Sequence, residues 1–310
     1  MSLPLPSPRR ALRAGSLAGA TLVVAALAAC APADGGDVST SATSAAAGAS
    51  SSASPSPGTG ACAKDQLKVR TPGKLTVATD KPAYTPWFVD DDPANGKGFE
   101  SAVAYAVAEK LGFARTDVTW ATATFNSVIA PGAKPFDVDV NQVSITDERR
   151  RNVDFSSGYY DVTQAVVTTK GSPIAGAKSI ADLKKAKLGA QVGTTSYKTI
   201  TEVIKPDAEP AVFDKNDDAK LALGNGQVDG IVVDLPTALY LANAEIEGGV
   251  VVGQLENTGG ATEQFGMVLD KGSALTPCVS AAVDALRADG TLDKLEQQWL
   301  TTENGAPVLR

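Results

Sequence analysis

The residues best equipped for chemistry lie in one short stretch, Asn141-Gln142-Val143-Ser144-Ile145-Thr146-Asp147-Glu148-Arg149, which reads as a strand end running through a loop into a short helix. Open α/β sheets bind ligands at such carboxyl ends of strands. Ser144 offers a hydroxyl, backbone amides at the helix start can face an anion, and Arg149 can clamp a carboxylate with two parallel hydrogen bonds. A local reading competes with this one: Ser144 and Thr146 cap the turn while Arg149 pairs with Asp147 or Asp154. The chain has no histidine and 3 cysteines, which leaves neither a His-based triad nor zinc chemistry, and no metal or cofactor is expected.

The elements that must position this stretch alternate along the chain. Gly73 to Thr79 reads as a strand, and Phe99 to Leu111 spaces its apolar residues as a helix that Gly112 stops. Further strands are predicted at Val118–Trp120, Phe136–Val140 and Val153–Phe155, with short helical or loop pieces at Asn126–Ala130 and Thr146–Arg150. A second set begins with the strand Ala165–Thr169. It continues through strands Leu188–Val192, Ala211–Phe213 and Gly230–Val233, and helices Ser179–Lys184, Ser196–Ile204, Asp217–Leu223 and Leu235–Ala242. A strand at Gly266–Leu269 and helices at Ser280–Arg287 and Leu292–Leu300 close the pattern. Strands alternating with helices predict an α/β fold of mostly parallel sheets covered on both faces.

Ahead of these elements the chain reads as an export signal. Arg9, Arg10 and Arg13 precede an uncharged run of small and apolar residues from Ala14 to Ala29. Its strongly apolar part, Leu22 to Leu27, is too short to span the ~30 Å of a bilayer core. Leu27-Ala28-Ala29-Cys30 looks like a lipobox, in which small residues admit the peptidase and the Cys30 thiol carries a lipid. From Ala31 to Gly60 the chain is Ser, Ala, Thr, Gly and Pro with only two acids, too polar to offset chain entropy by burial, so it reads as a tether. About 250 residues remain, one large or two moderate domains by the usual size range. Loss of the leader removes three arginines and no acid, taking the formal charge from −7 to −10. So acidic a surface disfavours nucleic acid as a partner. With Cys30 lipidated, Cys62 and Cys278 are left, and in an oxidising compartment a disulfide between them is expected.

The stretch from Ser144 to Arg149, followed by Val153-Asp154-Phe155-Ser156 and Tyr159-Tyr160, resembles a signature segment of the extracellular solute-binding proteins for polar amino acids. Further pieces recur in that family's order: Val77–Asp80 with Tyr84–Phe88, Lys97–Glu100, Gly193–Ser196, Gln227–Asp234 and Ala288–Leu295. The likeness covers nearly all of Leu67 to Leu300. It implies a type II periplasmic-binding-protein fold, two lobes joined by two hinge strands and closing on an amino acid. The expected organisation is a signal peptide over 1–29, a tether over 30–61, a first lobe from 62–164 with 263–310, and a second lobe from 165–262. By the same resemblance Arg149 holds the ligand α-carboxylate, helped by Ser144 and by Thr195 with Thr194 beside it, and Asp234 takes the α-ammonium. A zwitterion leaving water needs a paired charge at each end. Asp234 also stands where it could cap a helix before Leu235-Pro236. Phe125 is expected against the ligand side chain, Tyr84 and Trp87 on the opposite wall, and Asp80 at the distal polar group, although lone aromatics more often pack in a core. The loop Asp80–Tyr84 is one residue longer than the common form, and Asn141-Gln142 replaces a usual small pair, placing two amides in the pocket.

The resulting expectation is a monomeric, lipid-anchored binding protein on the outer face of the cytoplasmic membrane, delivering a polar or basic amino acid to an ATP-binding cassette permease. The alternative is an enzyme, a periplasmic-type dehydratase of prephenate-like acids on the same scaffold. That would need an acid or base with no part in amino-acid capture, and none is evident in the sequence beside Arg149 and Asp234. A receptor's sensor lobe is disfavoured because no membrane-spanning segment follows Leu300. Mass spectrometry of the mature protein is expected to find acylated Cys30 at the N-terminus after loss of residues 1–29; an unmodified Cys30 or another N-terminus refutes the lipobox.

Overall fold

The computed structural model describes residues 56–256, 262–300 and 306–310. The signal peptide, Cys30 and all of the tether before residue 56 lie outside the described residues. The last tether residues make a tight turn at Gly60–Cys62.

The first sheet holds β1 (Leu75–Thr79), β2 (Val118–Thr122), β3 (Val138–Asp139) and β4 (Val153–Val162), together with β10 (Glu263–Asp270) from late in the chain, in the order β2-β1-β3-β10-β4. The second holds β5 (Gln164–Thr169), β6 (Leu188–Gln191), β7 (Ala211–Phe213), β8 (Gly230–Asp234), β9 (Gly249–Leu255) and β11 (Val308–Leu309), in the order β11-β9-β5-β8-β6-β7. Helices α1 (Phe99–Lys110), α2 (Phe125–Ile129) and α3 (Asp147–Arg150) serve the first sheet, and α4 (Thr195–Lys198), α5 (Asn216–Gly224) and α6 (Leu235–Tyr240) the second; α7 (Thr276–Ala288) and α8 (Thr291–Trp299) return to the first. This is the expected two-lobed α/β fold.

Both sheets are mixed. β1 runs parallel to β2 and β3, and β6 to β7 and β8, as βα alternation requires. β10 is antiparallel to β3 and β4, and β5 to β8 and β9, because strands that enter and leave a lobe through the hinge run in opposite senses. The first crossover is the single residue Thr163 between β4 and β5; the second lies between β9 and β10. At the hinge Glu263 pairs with Val162, and Gln164 pairs with both Asp234 and Leu255.

Local sequence explains most elements. In α1 the side chains of Phe99, Val103, Ala104 and Val107 fall on one buried stripe against β1, β3 and α7. Gly98, at φ 95°, lets that helix start against the 87–88 backbone, where a Cβ would stand 2.4 Å from the Trp87 carbonyl oxygen. Two cores cover the faces of the first sheet and two those of the second. The helix expected at Ser179–Lys184 is only a tight turn at Ala181–Leu183.

Two strands go beyond the sequence reading. β9 is a short valine run flanked by glycines, and β11 pairs with it in parallel, burying Leu309. Residues 306–310, expected in the first lobe, therefore sit on the second sheet. Cys62 and Cys278 form the expected disulfide, with Cα atoms 5.4 Å apart, joining the start of the domain to α7 across 216 residues. Among the described residues no helix is long and apolar enough to cross a membrane. Replacing both cysteines by serine is expected to cost ~4 to 5 kcal/mol, the chain-entropy value for so long a loop. Denaturant titration of the double variant checks this, and an unchanged midpoint refutes it.

Candidate functional site

The ends of β1, β3, β6 and β8 converge on a cleft between the lobes, with about 520 Å³ of space that opens to solvent. Its first-lobe wall carries Asp80, Tyr84, Phe125, Asn141, Gln142, Ser144 and Arg149. Thr194, Thr195 and Asp234 face them from the second lobe. Ten of the eleven cleft residues expected from sequence are thus brought together.

The eleventh, Trp87, is not in the cleft. Its ring is 0 % exposed and packs edge-on against Phe99, Tyr160 and Phe265 at 5.5 to 6.0 Å. Ordinary core packing claims it, while its Nε1 donates to Thr237 Oγ1 of α6 at 2.9 Å, tying the lobes together.

Arg149 sits in α3, whose first turn is capped by Thr146 Oγ1 accepting from the Arg149 amide at 3.2 Å. The cap is real, yet the arginine pairs with a different set of groups from the local reading. Its guanidinium is 7 % exposed and donates to the Ser144 carbonyl at 2.6 Å and, across the cleft, to the Gly193 carbonyl at 3.0 Å. Asp154 instead meets Lys271 at 3.1 Å. The Phe125 ring lies 5.2 Å beneath the guanidinium, so Phe125 is both core and cleft wall. Burial pulls the Arg149 pKa down to about 10, against the opposing pull of Glu263 and then Asp234.

In the second lobe, Thr194 caps α4 by accepting from the Tyr197 amide at 3.1 Å, which sets Thr195 and Ser196 in the first turn. Asp234 precedes α6 without capping it; its Oδ1 accepts from Gln164 Nε2 at 2.8 Å. Burial, and next the charge of Glu263, push its carboxyl up to about 8. Asp80 turns inward to accept the Phe125 amide at 3.0 Å, while neighbouring Lys81 turns away to pair with Asp91 at 2.9 Å.

Below the first-lobe wall lie acids that the sequence reading left without a role. Glu100 is fully buried and accepts from Tyr159 Oη at 2.5 Å, from the Gln142 amide at 2.7 Å and from the Gln142 side chain. These bonds fix Gln142 at φ 48°, a left-handed conformation unusual for a residue with a Cβ. Burial outweighs them and pushes Glu100 up to about 7. Asp139 is also fully buried, neither carboxylate oxygen has a hydrogen-bond partner, and burial raises its pKa well above the carboxylate range, with Glu100 and Asp80 adding to the rise. Two residues on, the Asn141 side-chain amide nitrogen is buried without a partner. A signal for Glu100 existed: positions 100, 103, 104 and 107 share one helical stripe, so an acid there enters the core. Gln191, Ser196, Asn216 and Val233 complete the cleft lining; Ser196 and Val233 fall within the recurring motifs, but none of the four was singled out as a site residue.

Comparison with known proteins supports the two-lobed fold. The family described as bacterial extracellular solute-binding proteins, family 3, matches residues 75–302. The L-arginine-binding protein of Pseudomonas aeruginosa is 28% identical over 239 residues, spanning 73% of this chain and 90% of its own length. Among solved structures, an ancestral arginine-binding protein bound to glutamine superposes with a TM-score of 0.62 at 34% identity, covering 74% of this chain and 98% of the other. An ancestral amino acid-binding protein described as a precursor of cyclohexadienyl dehydratase gives 0.60 at 32% identity, covering 74% and 96%.

The buried acids set a pH dependence. With folded values of about 7 for Glu100 and about 8 for Asp234, both above their ordinary range, their contribution to stability is full at acid pH, below the unfolded values, and is lost as pH rises through 7 and 8. The melting temperature is therefore expected to fall by roughly 5 °C or more between pH 5 and pH 8.5. Glu100→Gln is expected to flatten that slope, and a pH-independent melting temperature in the unsubstituted protein refutes the assignment.

Proposed function

Given that the chain belongs to the bacterial extracellular solute-binding proteins of family 3, we propose that it captures an α-amino acid in the inter-lobe cleft and delivers it to an ATP-binding cassette permease. The observation that carries this reading is the placement of one buried cation and one half-buried acid on opposing walls. Arg149 belongs to the first lobe and Asp234 to the second, and both line the cleft. A zwitterion between them neutralises two charges that burial disfavours, so binding and closure reinforce one another. Ser144 and Thr195, whose hydroxyl oxygens are 3.2 Å apart across the cleft, stand beside Arg149 for the carboxylate.

The wall leading to the ligand side chain is acidic and amide-rich, with Asp80, Asn141 and Gln142 around the Phe125 ring. That composition suits a polar or basic side chain. The relatives support the class: the Pseudomonas protein is named for L-arginine, and the ancestral neighbour holds glutamine. We infer that the lipobox-like segment at Cys30 and the tether hold the domain at the outer face of the cytoplasmic membrane, and that it works as a monomer beside its permease.

The dehydratase reading has one neighbour in its favour. It needs an acid or base free to meet a substrate. Glu100 and Asp139 carry raised pKa values, but both are fully buried beneath the wall and neither lines the cleft. Binding without catalysis is the better fit.

Arg149→Lys keeps the charge and loses the planar fork, while Asp234→Asn leaves the ammonium without its counter-ion. Each is expected to weaken binding by ~2 to 5 kcal/mol, the usual cost of breaking a buried charged pair. A thermal-shift screen of amino acids followed by calorimetry on both variants checks this. Near-native affinity in both removes the pair from the site.

A further inference from the structure

Beside each hinge crossover stands one side chain that hydrogen-bonds residues lining the cleft, and the two are joined by a chain of hydrogen bonds. Gln164, the first residue of β5, is 1 % exposed. Its Oε1 accepts from Ser196 Oγ at 2.6 Å, and its Nε2 reaches Asp234 at 2.8 Å and Thr195 Oγ1 at 3.5 Å. Thr195 Oγ1 lies 3.2 Å from Ser144 Oγ, which donates to Glu263 Oε1 at 2.5 Å. Glu263 is the first residue of β10 and pairs with Val162 at the end of β4.

The direction of this chain follows from proton counting. A hydroxyl has one hydrogen, and that of Ser144 is given to Glu263, so the Thr195 hydroxyl must donate to Ser144. Gln164 can only donate through its Nε2. One Gln164 amide proton goes to Asp234, while the other, with the protons of Thr195 and Ser144, points toward the Glu263 carboxylate, and such aligned chains strengthen one another. The same carboxylate is the foremost of the negative charges that offset the burial of Arg149, ahead of Asp234.

We propose that Glu263 is a built-in competitor that sets the affinity of the site, holding the Ser144 hydroxyl directly and the Thr195 hydroxyl through it, beside Arg149 in the cleft, so that a ligand carboxylate must compete with it for both. This deepens the amino-acid-binding reading and rests on it for the ligand carboxylate. A carboxylate entering beside Arg149 meets two hydroxyls whose protons face away, and it meets a like charge behind them. Binding is weakened by that competition, and release is hastened. Without ligand, the same contacts draw the lobes together, since Ser144 belongs to the first lobe and Thr195 to the second.

Glu263→Gln keeps the shape, removes the charge, and provides an amide that can donate to Ser144 Oγ, turning the chain around to free the Ser144 proton. Titration calorimetry with L-arginine, L-glutamine and L-cystine is expected to show about tenfold tighter binding of whichever binds the unsubstituted protein, the scale of removing a juxtaposed like charge. Glu263→Ala is expected to tighten it as well, and Glu263→Asp to return toward the parent value. Small-angle scattering without added amino acid is expected to show a larger radius of gyration for E263Q than for the parent. Equal or weaker affinity in natively folded E263Q overturns the inference whatever the scattering shows. If the parent binds none of the three, the amino-acid reading itself fails for these probes, and scattering alone decides: an unchanged radius then overturns the role of Glu263 in closure.

Discussion

The rest of the site is organised by the burial of one guanidinium. Arg149 stays charged across the ordinary pH range, so its removal from water must be met by acceptors and negative charge fixed in place. Two carbonyls, one from each lobe, take its hydrogen bonds, while Glu263 and Asp234 balance its charge from the hinge and from the second lobe. Because these groups lie on separate elements, the compensation is complete only when the lobes approach.

The strand pattern makes that convergence possible. β3 and β8 each run parallel to a neighbour in the sheet, so their carboxyl ends, with the adjoining loops, deliver Asn141 to Ser144 on one side and Asp234 on the other to the same gap. The antiparallel strands have a different task. β4 with β10, and β5 with β9, carry the chain between lobes and keep the crossovers in register, which is how Gln164 and Glu263 come to flank the cleft. Contacts at the rim add little energy but fix the approach: exposed Lys198 and Glu148 meet at 2.6 Å, and the Lys215 ammonium reaches the Lys81 carbonyl at 3.0 Å.

Acidic side chains gather at and beneath the first-lobe wall, where burial favours the protonated, uncharged form of Glu100 and Asp139. Asp80, Glu100 and Asp139 lie close enough that the first two raise the pKa of the third. The one buried lysine nearby, Lys134, already donates to the carbonyls of Ser127 and Ala130 at the end of α2. Of the three acids, Asp80 lines the cleft, so the proposed preference for a polar or basic ligand is a property of the cleft surface more than of the support beneath it.

Much of this was legible in the chain. Periodicity located β1, α1, β8 and the two final helices, because each buries an apolar stripe or run that local spacing records. The ordered motifs placed ten cleft residues, and cysteine arithmetic gave the disulfide. Trp87 escaped because an aromatic reads alike in a core and in a cleft wall, and only packing against Phe99, Tyr160 and Phe265 decides between them. β11 escaped because two residues have no periodicity, and pairing with β9 alone makes them a strand. Glu100, Gln164 and Glu263 are polar residues whose roles depend on partners 42, 70 and 119 positions away in sequence. Sequence marked the groups that we propose hold a zwitterion. Tertiary structure decided which others would hold those groups, because the direction of a hydrogen bond and the sign of a buried field are set by neighbours in space.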